Sequence, residues 1–118
     1  MVNSKETSFA YLETLSDEQL CAACQLGNRN AEEVLAARYH RLVRSIARPY
    51  FLAGGDNEDL LQEGMVGLIK AMREYDPHQA ASFCTFAEVC IRRRLYSVLK
   101  SASSGKHQPL NQAIPLNP

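Results

Sequence analysis

Residues 59–77 read DLLQEGMVGLIKAMREYDP. Leu60, Leu61, Gly64, Leu68 and Met72 recur at helical spacing and form an apolar stripe. Asp59, Gln62, Glu63, Val66 and Lys70 fall on the other side at i, i+3, i+4, i+7 and i+11. The period predicts a helix, yet Gly64 and Gly67 lie inside it, and each costs about 1 kcal/mol relative to alanine. A residue without Cβ lets a neighbouring helix approach closely, which gives the glycines a use. The stretch therefore predicts an amphipathic helix packed tightly against others, with a polar, partly acidic face turned outward.

The surrounding text is also helical. Ser16-Asp17-Glu18-Gln19 is a capping box for a short helix that Gly27-Asn28 stops. Asn30-Ala-Glu-Glu33 opens a longer one, whose Tyr39, Leu42, Val43, Ile46 and Tyr50 mark a core face and whose Arg41, Arg44 and Arg48 share another. Pro49 weakens this pattern, residues 53–55 (AGG) end it, and Asp56 is placed to cap the next helix. Asp59 in the first turn suits the positive helix end. Asp76-Pro77 closes that helix, because a residue before proline avoids the helical region. A last helix begins near Ser82, with Phe83, Ala87, Ile91, Leu95 and Val98 as its apolar set. Strand signals are nearly absent, so the predicted fold is all-α, a compact bundle of about four helices. The boundaries read as an N-terminal segment over 1–14, a helical domain over 15–101, and a Ser/Gly/Asn/Pro-rich linker over 102–118 leading toward a further region.

At 118 residues, 46% hydrophobic and 22% charged, the chain has one domain's worth of ordinary globular sequence. No apolar run approaches the roughly 18 residues of a membrane span, and the first residues lack a signal-peptide pattern. The expected location is the cytoplasm. The formal net charge is zero, but the signs are segregated. Residues 1–37 carry two basic and six acidic groups, and 49–76 repeat that ratio. Residues 38–48 hold four arginines and no acid, and from Val89 onward there are five Lys/Arg and no acid. Such segregation predicts one surface for an anion and another for a basic partner.

The last helix supplies the anion-binding candidate. Val89, Arg92, Arg93, Tyr96 and Lys100 again fall at i, i+3, i+4, i+7 and i+11, with Phe83 and Phe86 at the N-terminal end. Arginines bind phosphates or read guanine edges, and aromatic rings stack on unpaired bases. A merely solvated basic face is the alternative. Cys21-Ala-Ala-Cys24 has the spacing of a zinc or redox pair, but it lies mid-helix, and Cys84 and Cys90 do not complete a set. The four cysteines read as free thiols, with no metal and no cofactor. His40, His78 and His107 fall in separate segments, and no nucleophile–base or phosphate-loop pattern exists, so the chain does not read as an enzyme.

DLLQEGMVGLIKAMREYDP followed by SFCTFAEVCIRRRLYSVLK resembles region 2 of bacterial RNA polymerase sigma factors of the sigma-70 family. RYHRLVRSIARPYFLAGGDNEDLLQEG and the trailing KHQPLN look most like the sporulation and stationary-phase branch, sigma-H. The resemblance covers about Leu15 to Leu116. It implies that Asp59, Gln62 and Glu63, with Met65 alongside, contact a coiled coil of the polymerase β′ subunit. It also implies that Phe83, Thr85, Phe86, Val89, Arg92, Arg93 and Tyr96 read the promoter −10 element and trap unpaired nontemplate-strand bases. Tyr75 and Asp76 would lie close to that pocket, and Lys100 extends the same face. Primary sigma factors carry two adjacent tryptophans as a wedge, where this chain has Val89-Cys90 and no Trp at all. The departure favours an alternative factor with stricter site demands. Core polymerase, promoter DNA and an anti-sigma factor are the implied partners. A sigma-like regulator from a mobile element, sharing the fold without promoter recognition, is the competing reading.

Overall fold

The computed structural model describes residues 8–52 and 57–103. They form helices α1 (Phe9–Leu12), α2 (Asp17–Gln25), α3 (Arg29–Leu52), α4 (Asn57–Glu74) and α5 (Phe83–Ser103) and no strand, so the all-α expectation holds. The helix beyond the expected four is α1, a single capped turn on Ser8. Its Leu12 is only 1% exposed and joins the core.

Local chemistry sets the helix ends. Ser16 and Gln19 exchange both bonds of the predicted capping box. Gly27, at φ +96°, ends α2, with its N–H on the Cys24 carbonyl and the Asn28 N–H on that of Ala23. This left-handed turn suits glycine, which has no Cβ to clash. Helix α3 starts one residue before the expected opening at Asn30, and Asn28 caps it, its Oδ1 accepting from the Ala31 N–H at 3.0 Å. Pro49 is accommodated inside α3. The expected stop at 53–55, the Asp56 cap and the linker beyond 103 lie outside the described residues.

Helix α4 is the hub, packing on α3 and α5. The two glycines are where it comes closest. A Cβ on Gly64 would stand 2.6 Å from Val43 Cγ1 of α3. A Cβ on Gly67 would meet Arg94 Cβ at 3.0 Å, the Cys90 carbonyl oxygen at 3.1 Å and Ile91 Cα at 3.1 Å. Gly64 and Gly67 thus serve close packing, as their position in the helix predicted. Around them Leu60, Leu68, Ala71 and Met72 of α4 join Val43, Ile46, Ala47 and Tyr50 of α3 and Phe83, Ala87, Ile91 and Leu95 of α5 in one core. The last apolar position of α5 is Leu99 rather than Val98, which is only partly buried. Stepping by four residues from Phe83 drifts around the helix, and Leu99 follows that drift.

Helix α2 holds the ends of α4 and α5 together. Gln25 Nε2 donates to the Met72 and Tyr75 carbonyls, each at 3.0 Å, near the end of α4. Glu18 Oε2 accepts from the Phe83 N–H at 3.1 Å, at the start of α5. A carboxylate there meets both an unpaired amide and the positive helix end.

Candidate docking and nucleic-acid faces

The outward face of α4 carries the acidic group. Asp59 and Gln62 are exposed, and Met65 is half-buried beside them. Glu63 is not free: its Oε1 accepts from Arg94 Nε at 2.8 Å and lies 2.7 Å from Arg94 Nη2. Val66, 43% exposed, continues this face. The surface is a short acidic turn followed by apolar side chains, with one arginine of α5 at its edge.

The second face lies along α5. Ser82 caps the helix, its Oγ accepting from the Thr85 N–H and donating to Thr85 Oγ1, each at 3.2 Å. Thr85 is exposed and Phe86 is half-buried. The Phe86 ring lies 5.6 Å from that of Tyr75 at a 51° tilt. Val89, Arg92 and Tyr96 follow, partly covered, and Arg93 and Lys100 are exposed. From Val89 to Lys100 the row spans about 16 Å at a helical rise of about 1.5 Å per residue. Glu88, which sequence reasoning passed over, pairs with Arg92 at 2.9 Å one turn away. Lys100 Nζ stands 5.9 Å from the centre of the Tyr96 ring. Arg93 makes no ion pair among the described residues.

Two of the residues expected at the nucleic-acid face, Phe83 and Tyr75, are buried. Phe83 has 0% exposure and packs edge-on against Tyr39 at 5.3 Å and Tyr75 at 5.6 Å. Tyr75 is buried too, its hydroxyl donating to the Ala81 carbonyl at 2.9 Å. Both belong to the apolar floor under the face, where Phe83 lies on the core stripe of α5. They brace the loop between α4 and α5. Asp76 is exposed on that loop, where its Oδ1 accepts from the His78 N–H at 2.9 Å and so turns the chain.

Buried polar groups elsewhere serve structure. Tyr39 donates to Asp17, which also pairs with Arg38 at 3.0 Å. Burial, then the hydrogen bond to Asp17, raises the Tyr39 phenol far above its ordinary range. All four cysteines are free, and no group of side chains suited to a metal occurs among the described residues. Burial, followed by repulsion from Cys24, pushes the Cys21 thiol up to about 12. Burial, followed by Glu32, pushes Cys24 up to about 11. Neutral thiols of this kind behave as small hydrophobes. No described helix is long and apolar enough to cross a membrane.

The family model for Sigma-70 region 2 matches residues 35–104. The chain is 42% identical over 103 residues to the RNA polymerase sigma-H factors of Bacillus licheniformis and Bacillus subtilis. Those alignments cover 87% of this chain but 46% and 47% of the relatives, so it spans about half their length. It is 44% identical over 69 residues to the RNA polymerase sigma factor FliA of Pseudomonas aeruginosa, covering 54% of this chain and 27% of that protein. No solved structure matches significantly. Residues 35–104 contain both faces and the glycine-sealed seam between α4 and α5, and the chain belongs to the sigma-70 region 2 family.

Proposed function

We propose that this chain is a sigma-factor module that docks on core RNA polymerase through α4 and recognises and melts the promoter −10 element through α5. It acts by binding and positioning, without catalytic chemistry of its own. The observation that carries this reading is the division of labour across one rigid seam: an acidic turn on α4 and a basic-aromatic row on α5. Asp59, Gln62, Glu63 and Met65 form the polymerase contact, where complementary charge steers encounter with a basic coiled coil of the β′ subunit and sets register. Thr85, Phe86, Val89, Arg92, Arg93, Tyr96 and Lys100 form the DNA contact, with Asp76 at its rim. The arginines and Lys100 take phosphates, and Phe86 and Tyr96 stack on unpaired bases. Extruding a base costs a few kcal/mol, which stacking and edge contacts offset. Val89-Cys90 in place of a bulky wedge limits melting to favourable sequences, in keeping with an alternative sigma factor of the sigma-H type.

The test is fluorescence anisotropy of a labelled −10-like nontemplate single strand, titrated with core polymerase, with this chain, and with both. Tight, sequence-dependent binding that needs both proteins is expected. Binding indifferent to oligonucleotide sequence would contradict promoter recognition and favour a regulator that shares only the fold.

A further inference from the structure

The pairing of Glu63 with Arg94 joins the acidic face of α4 to α5, and nothing in the charge pattern alone announces it. Both N–H groups of the Arg94 fork converge on Glu63 Oε1, at 2.8 and 2.7 Å. The two side chains remain 32% and 40% exposed, Glu63 and Arg94 respectively. Gly67 lies one turn beyond Glu63, and the Arg94 Cβ sits 3.0 Å from where a Gly67 Cβ would be. The arginine stem therefore starts over the bare turn of α4, and its head reaches Glu63 one turn back. Arg94 is two residues beyond Arg92, so it stands about 200° around α5 and away from the DNA row. Its place is on the polymerase side.

We propose that Arg94 is a positioning residue of the docking surface, which fixes the Glu63 carboxylate with Oε2 available for a basic side chain of core polymerase. This rests on the assignment of the acidic α4 face to polymerase. A carboxylate offers about four acceptor positions, and Arg94 occupies those of one oxygen only. An unheld glutamate loses rotamer freedom when it docks, whereas a held one has already lost it. Arg94 also has an opposite effect, because a cation beside the acid weakens the long-range attraction for a basic partner. The two effects separate kinetically. Steering acts on association, and fixed geometry acts on dissociation. The fixed geometry dominates affinity, since long-range steering is screened beyond a Debye length of about 8 Å in physiological salt.

The experiment measures association and dissociation of the full chain on immobilised core polymerase for the wild type, Arg94→Ala, Arg94→Gln, Arg94→Lys, Glu63→Ala, Glu63→Ala/Arg94→Ala and Asp59→Lys. Thermal unfolding is followed in parallel. Arg94→Gln keeps the stem over Gly67 and loses the charge, so its binding is interpretable even if Arg94→Ala folds poorly. Arg94→Ala and Arg94→Gln should dissociate about three- to tenfold faster, with association at low salt unchanged or slightly faster. Arg94→Lys should recover part of the loss, and Arg94→Ala should add little in the Glu63→Ala background. Wild-type or slower dissociation for Arg94→Gln, or an equal effect with and without Glu63, would overturn the proposal while a weakened Asp59→Lys leaves the docking face standing. Undiminished binding by Asp59→Lys and Glu63→Ala would overturn the docking face, and the role of Arg94 with it.

Discussion

Gly64→Ala sets two physical effects against each other in a way that the structure decides. Helix propensity alone would stabilise the protein by about 1 kcal/mol. The new methyl would stand 2.6 Å from Val43 Cγ1, whereas carbon atoms prefer about 3.5–4.0 Å. Relief would need a shift of about 1 Å at a site with little freedom. Val43 is fully buried, and a valine in a helix is nearly locked at χ1. Helices α3 and α4 must move apart, and overpacking of this kind costs about 1–3 kcal/mol. With both partners buried we expect the upper part of that range, leaving a net loss of about 1–2 kcal/mol after the propensity gain. In a domain of this size that lowers Tm by roughly 4–8 °C per kcal/mol. Urea and thermal unfolding read by circular dichroism measure it. Val43→Ala removes the obstructing methyl, so in that background Gly64→Ala should be neutral or stabilising by up to about 1 kcal/mol. A Gly64→Ala protein at least as stable as wild type, or one equally destabilised in both backgrounds, would refute the close-packing argument.

Other expectations follow from the same geometry. Replacing Arg92 and Arg93 with Ala should weaken DNA binding and flatten its salt dependence by up to about one unit of slope per lost phosphate contact, read from affinity against salt concentration. Phe86→Ala should cost about 1–3 kcal/mol on single-stranded DNA with an unchanged salt slope, whereas Phe83→Ala should cost about 3–5 kcal/mol of folding stability and weaken binding only through unfolding. Above about pH 9 an unfolded Cys21 loses its proton while the folded one keeps it up to about 12. The folded state then binds more protons, so stability falls across that window, by at most about 1.4 kcal/mol per pH unit, and is unaffected at neutrality. Cys21→Ala should flatten the alkaline limb in unfolding titrations. Cys84, exposed at the start of α5, should react first with Ellman's reagent, and Cys21 only on unfolding.

The period-3.6 pattern revealed what lies along each helix but not what crosses it. Gly64 and Gly67 were legible because an interior glycine needs a reason, and close approach is the common one. Phe83 shows how two readings of the same residue compete: helical spacing puts it on the core stripe, and family resemblance puts it among the base contacts. The core position that the spacing gives is where the ring lies, packed edge-on against Tyr39 and Tyr75. The Glu18 cap on α5 spans 65 residues, and the pairing of Glu63 with Arg94 spans 31. Neither separation leaves a periodic trace. In the run Arg92-Arg93-Arg94 the three residues look alike, yet one pairs with Glu88, one is exposed, and one crosses to α4. Only the helix crossing at Gly67 distinguishes them. The exposed row of arginines on α3, Arg41, Arg44 and Arg48, was legible as a face, and the structure leaves it without an ion-pair partner among the described residues.

Asp59→Lys/Gln62→Lys tests most directly whether α4 presents the polymerase-binding surface. Both side chains are exposed, and thermal unfolding followed in parallel reads any cost of the substitutions to the folded domain. Affinity for core polymerase, measured by anisotropy or sedimentation, should fall by more than about 30-fold, corresponding to a loss of about 2–5 kcal/mol. A folded double variant that bound core polymerase as tightly as wild type would place the docking surface elsewhere on the protein.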